Sequence, residues 1–181
     1  DLLKTFPDIP VLVDEAYYEF TGETCVSLLS SYPNLIIIRT FSKALGMPSL
    51  RLGYVIARPD FIKHLQKIRG PYDVNVVAVF AAREQLKHPE HWQMIVKHLL
   101  EESKPALEKY FDQHQVKYYS NNTNFMLVEP QDPVAACKYL KENKILVRPM
   151  GPPISHTFRM SFRMMPEMQR FMEVYSRFLD T

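Results

Sequence analysis

Cysteine is nearly absent from this 181-residue sequence: Cys25 and Cys137 stand far apart and form no C-x-x-C pair. That argues against a disulfide framework or a cysteine zinc site. No metal is expected, and a reducing, cytoplasmic compartment is the default expectation. Charge of one sign is missing too. The 22 Lys and Arg against 20 Asp and Glu leave a net charge of +2, which gives no footprint for nucleic acid or a membrane surface. No apolar run reaches membrane-spanning length, and no signal-peptide pattern is visible. Glycine is scarce, with 5 residues, while proline is plentiful at 14. The opening Asp1-Leu2-Leu3-Lys4 reads like the tail of a helix already under way, so the chain is expected to begin inside a larger protein.

What is present is ordinary for a globular fold, 46% hydrophobic and 23% charged. The length suits one domain, or a smaller domain plus part of another. Val11-Leu12-Val13 is a short apolar run ending in Asp14-Glu15, the pattern of a buried strand whose end meets a polar site. Residues 24–31 suggest a short helix. Leu35-Ile36-Ile37-Ile38 is a second buried strand, rich in β-branched residues, running into Arg39-Thr40-Phe41-Ser42-Lys43. A third strand is expected over 51–57. Continuous apolar strands of this kind predict a mostly parallel sheet covered by helices on both faces.

Pro59 opens a helix with Phe61, Ile62, Leu65 and Ile68 on one face, which Gly70-Pro71 ends. Residues 75–87 read as helical. A long helix starts near 90, and Pro105 is expected to kink it or mark a new start. The remainder reads as a compact α+β unit, with strands at 116–119, 124–129, 145–148 and 157–162 and helices at 133–143 and 166–179. The predicted division is therefore α/β over residues 1–88, a connecting helix over 89–105 and a small α+β domain over 106–181.

Few residues stand out chemically. Asp14 follows a buried strand, where an unpaired charge is expensive; it is either functional or occupied as a helix cap or salt-bridge partner. Tyr17 lies three positions on. Lys43 lies beyond the end of the second strand, where burial would make its amine nucleophilic. Arg51 has a fork that suits phosphate.

Taken together, D-E-A-Y at 14–17, T-F-S-K-A-L-G at 40–46 and R-L-G-Y at 51–54 resemble the fold-type I aminotransferases, and within them the histidinol-phosphate aminotransferase family. Pro33-Asn34, Pro71-Tyr72-Asp73-Val74-Asn75, Asn124-Phe125 and Ile145-Leu146-Val147-Arg148 extend the likeness along nearly the whole chain. The resemblance implies the later part of a large domain that binds pyridoxal phosphate (PLP), followed by the small C-terminal domain. It implies Lys43 as the residue that holds the cofactor as a Schiff base and later moves the proton. Asp14 matches the carboxylate that keeps the pyridine nitrogen protonated, Tyr17 the phenol near the ring oxygen, and Ser42 and Arg51 the holders of the phosphate. Arg159 matches the family's substrate-anion arginine, and Arg148 a second arginine of the histidinol-phosphate branch. The implied partners are an amino donor, a 2-oxo acid such as 2-oxoglutarate, and a second subunit in a homodimer.

The chain also departs from the pattern. Arg163 and Met164 stand where the family has a Gly-Thr pair, so a changed turn or an added charge near the substrate is expected. Met47-Pro48-Ser49-Leu50 replaces a stretch usually containing Leu-Ala-Gly. The small-residue loop and helix N-terminus that seat the cofactor phosphate, an aromatic over its ring and an asparagine near its oxygen are not found, in keeping with the few glycines. Alone, the chain is expected to hold PLP poorly and to expose sheet edges. An aromatic amino-acid aminotransferase, a threonine-phosphate-type decarboxylase and a non-catalytic remnant stay open as alternatives.

Overall fold

The structure, a computed structural model, describes residues 2–180. The chain divides between Gln93 and Met94 into two compact units.

In the first unit α1 (Leu2–Thr5) leads to β1 (Val11–Asp14), α2 (Tyr18–Thr21), a 3₁₀ turn (Val26–Leu28), β2 (Leu35–Thr40), a second 3₁₀ turn (Pro48–Leu50), β3 (Gly53–Ala57), α3 (Pro59–Ile68) and α4 (Val76–Lys87). The sheet order is β1-β2-β3; β1 runs parallel to β2, and β3 antiparallel to it. The central strand carries the apolar run, and Leu35, Ile36 and Ile37 are buried as a strand covered on both faces requires. Asn34 enters that strand buried. Its amide donates to the carbonyls of Leu3, Phe6 and Ile9, which satisfies the group and ties the start of the chain down. Asn75 caps α4, accepting the Ala78 N–H at 2.7 Å.

α5 (Pro89–His98), a π turn (Leu99–Ser103) and α6 (Lys104–Gln113) follow without a break. Pro105 is the second residue of α6. A proline inside a helix lacks its N–H and crowds the carbonyl four residues back; the wider turn just ahead of it takes up that conflict. The helical run continues through Pro105 and does not restart there.

The second unit continues with β4 (Lys117–Ser120), β5 (Phe125–Glu129), α7 (Pro133–Glu142), β6 (Arg148–Pro149), β7 (Phe158–Ser161) and α8 (Met165–Leu179). Its antiparallel sheet has the order β4-β5-β7-β6. Met126 and Val128 of β5, Phe158 and Met160 of β7, and Met168, Phe171, Val174 and Tyr175 of α8 point into one core. Tyr175 sits at its centre, edge-on to Phe111 and Phe158.

The α/β and α+β patterns hold, with local differences. β3 begins at Gly53 because Arg51 takes a left-handed conformation (φ 52°) and cannot start a strand. Residues 24–31 give only the turn Val26–Leu28. The strand expected over 145–148 shrinks to Arg148–Pro149, since the Ile145 N–H is taken by the Leu140 carbonyl at the end of α7. Both cysteines are free thiols. No helix among the described residues is long and apolar enough to cross a membrane.

Candidate functional site

Strand direction gathers the first group of residues. Parallel pairing aligns Asp14 with Ile38, so the C-terminal ends of β1 and β2 lie together. Antiparallel pairing of Thr40 with Gly53 brings the start of β3 to the same end. Asp14 and Tyr17 leave β1 there, Ser42 and Lys43 leave β2, and Arg51 precedes β3. This is the edge at which open α/β sheets receive ligands.

The loop from β2 to β3 is closed on itself. The Phe41 N–H donates to the Leu52 carbonyl (3.1 Å), and the Met47 N–H to the Phe41 carbonyl (2.9 Å). Beneath it Phe41 and Leu45 are buried with Ala82, and Met47, Leu52 and Trp92 pack around them. Lys43 and Ser42 therefore sit on an anchored base. The Ser42 N–H donates to Thr40 Oγ1.

Lys43 Nζ lies 5.2 Å from the centre of the Tyr17 ring. Asp14 is exposed, accepts the Ala16 N–H at 2.9 Å, and has no cation partner among the described residues. Arg51 is exposed and donates to the Pro48 carbonyl at 2.9 Å. The structure thus brings an unpaired carboxylate, an amine against a phenol, a hydroxyl and a guanidinium to one sheet end. That donor set fits a flat heteroaromatic ring carrying an anionic tail.

Sequence reasoning singled out Asp14 and passed over its neighbour. The buried acid of the D-E-A-Y string is Glu15, whose Oε2 takes the Arg39 Nη2 at 2.8 Å and Nε at 3.0 Å. The Thr24 hydroxyl and the Cys25 N–H complete its shell. Burial pushes the Glu15 pKa up, but the Cys25 N–H, Arg39 and Thr24 outweigh it and hold it below the usual carboxylate range. Glu19, close by, goes the other way: desolvation raises it, and its Oε2 is buried without a partner. The arginine in Arg39-Thr40-Phe41-Ser42-Lys43 was the available signal, but its partner lies 24 residues away.

The second unit has a cavity of about 490 Å³ lined by Arg148, Arg159, Arg163, Arg170 and Lys144 among others, a candidate anion site. Arg148 and Arg159 face each other across β6 and β7. Arg159 lies 5.1 Å from the Phe125 ring centre, and neither arginine has a carboxylate partner among the described residues. Like charges set directly opposite on a sheet repel. Arg163 needs no left-handed turn. It bonds Glu167 at 3.1 Å, and its carbonyl accepts the buried Ser103 hydroxyl at 2.7 Å.

A sheet of this topology followed in sequence by a small α+β unit is the fold of the fold-type I aminotransferases. The chain belongs to the aminotransferase class I and II family, which it matches over residues 1–174. It is similar to a histidinol-phosphate aminotransferase of Dehalococcoides mccartyi (strain ATCC BAA-2266 / KCTC 15142 / 195), 39% identical over 133 residues, covering 74% of this chain and 35% of that protein. Among solved structures it resembles the L-threonine-O-3-phosphate decarboxylase from Porphyromonas gingivalis, with 26% identity and a TM-score of 0.83 over 99% of this chain and 58% of that one. It also shares its fold with the histidinol-phosphate aminotransferase from Sinorhizobium meliloti, solved with pyridoxal-5'-phosphate, at 22% identity and TM-score 0.81 over 94% of this chain and 49% of that one. The chain spans between 35% and 43% of the length of the curated histidinol-phosphate aminotransferases it matches.

Proposed function

We propose that the full-length protein is a PLP-dependent aminotransferase that moves an amino group between a phosphorylated amino compound such as histidinol phosphate and 2-oxoglutarate. The observation that carries this is Lys43 resting against Tyr17 at the strand end that also bears the unpaired Asp14. Bound PLP supplies an electron sink for the carbanion formed at the substrate carbon. Lys43 provides the amine for covalent attachment and then carries the proton at that carbon. Asp14 keeps a proton on the pyridine nitrogen. Tyr17 donates toward the ring oxygen. The Ser42 hydroxyl and the Arg51 fork hold the phosphate.

Arg148 and Arg159 are the substrate-binding residues in this reading. Their repulsion is relieved when an anionic group lies between them, so the pair favours a phosphate or carboxylate over a neutral ligand. A homodimer and a cytoplasmic setting, where both cysteines stay reduced, complete the proposal.

The test is direct. The full-length protein with PLP added should develop a visible band, and borohydride should fix the label on the peptide bearing Lys43. Lys43→Ala should abolish both label and turnover. A label elsewhere, or full activity in Lys43→Ala, would overturn the assignment. A second reading, decarboxylation of a phosphorylated amino acid, is favoured by the 26% identity to the Porphyromonas enzyme. Release of carbon dioxide in place of amine transfer, measured over a panel of phosphorylated substrates, separates the two.

A further inference from the structure

Glu15 and Arg39 are buried charges that none of these roles uses. Their side chains are 5% and 10% exposed. Burying two charges is costly unless the geometry is tight and the leftover hydrogen-bonding capacity is filled. Here the carboxylate takes the fork, the Thr24 hydroxyl and the Cys25 N–H, while the Arg39 guanidinium lies 3.4 Å over the Tyr18 ring. A well-packed apolar pair often holds a fold as well as or better than such an ion pair, so stability alone is a weak reason for it.

Position gives a stronger one. Glu15 directly follows Asp14 and stands two residues before Tyr17, and Arg39 stands four residues before Lys43. The Glu15 N–H donates to the Ile38 carbonyl at 2.9 Å, one rung past the last paired residue of β1. The ion pair therefore staples the segment carrying Asp14 and Tyr17 to the strand that delivers Lys43. Tyr54 stands opposite Arg39 on β3, and Glu19 follows Tyr18 on α2.

We propose that the Glu15–Arg39 pair, braced by Thr24 and Tyr18, fixes the spacing between Asp14–Tyr17 and Lys43, which makes Glu15 and Arg39 positioning residues for the cofactor reaction. This role rests on the reading of Asp14 and Lys43 given under Proposed function. Arg39→Lys keeps the charge and removes the fork. Glu15→Gln keeps the shape and removes the charge.

The full-length protein loaded with PLP is the system to use. Two quantities are read: the pH midpoint of the visible cofactor band, which responds to how amine, phenol and carboxylate surround the ring, and kcat separately from KM. Both variants should move the midpoint by about half a pH unit or more. They should also lower kcat by about 10–100-fold, because small displacements of reacting groups are that expensive, while KM stays within about threefold. Arg69→Gln, which breaks the exposed Arg69–Asp73 pair, should move neither. An unchanged midpoint and kcat alongside a lower melting temperature would reduce the pair to a structural role and overturn the inference. Should Arg39→Lys fail to fold, Glu15→Gln and Thr24→Val carry the same test. An unmodified protein that shows no visible band and no label at Lys43 would instead remove the cofactor reading itself, and this inference with it.

Discussion

The two units bury their apolar residues to different degrees. In the second, Phe111, Met126, Val128, Leu140, Phe158 and Tyr175 are fully or almost fully buried, and three helices share one core with the sheet. In the first, the sheet centre is equally dry at Leu35 and Ile37, but Leu12, Ile68, Val76, Val77 and Phe80 are all more than half exposed. Three of them, Val76, Val77 and Phe80, lie on α4, and exposed apolar clusters often serve as contact surfaces. The proposed cofactor residues thus stand at a strand end of a unit with many exposed apolar side chains, while the arginines proposed to bind substrate stand on a unit with a larger buried core, where Met94, Val134 and Leu146 are also more than half exposed.

Separating the units tests this contrast most severely. Residues 94–181 expressed alone should unfold cooperatively in urea with dispersed amide signals. Residues 1–93 alone should collapse or aggregate, and a cooperative transition there would contradict the contrast. Next in size, Phe111→Ala should cost about 3–5 kcal/mol in chemical denaturation, whereas Phe80→Ala, 62% exposed, should stay within about 0.5 kcal/mol. Gly53→Ala should cost about 1–3 kcal/mol by overpacking, since a Cβ there would stand 2.8 Å from the Arg39 carbonyl oxygen and push β3 off β2.

The smallest effects are pH-dependent and opposite in sign. Glu15 is held below the ordinary carboxylate value of 4.5. Its contribution is fully present above 4.5 and is lost as pH falls through the lowered value. Glu15→Gln should therefore flatten the acid limb of the stability profile. Glu19 is raised above 4.5, so its ionisation weakens the fold as pH rises through the raised value. Glu19→Gln should stabilise the protein near neutrality and do nothing below pH 4.5. Denaturation series between pH 3 and 8 would check both.

Much of this was legible from local pattern. Continuous apolar runs announced β1 and β2, but only β2 is buried as expected; in β1 Val11 and Val13 are half-buried and Leu12 is exposed. The stripe of Met168, Phe171 and Tyr175 announced α8. What escaped was non-local or conformational. Glu15 finds Arg39 only once β1 and β2 pair in parallel. The π turn that accommodates Pro105 leaves no composition mark, and nothing in Arg51 signals a positive φ. The facing of Arg148 and Arg159 depends on the register of β6 with β7, which two residues of strand hardly specify.

With glycine so rare, the left-handed position at residue 51 falls to an arginine, at about 1–2 kcal/mol of backbone strain. Glycine there would relieve that strain, offset in part by its greater loss of conformational freedom on folding. The same change would strip the guanidinium proposed to grip the cofactor's anionic tail. On the role proposed for Arg51, thermal tolerance and cofactor retention pull against each other at one residue, and a variant selected for robustness alone would drift toward a sturdier but emptier protein.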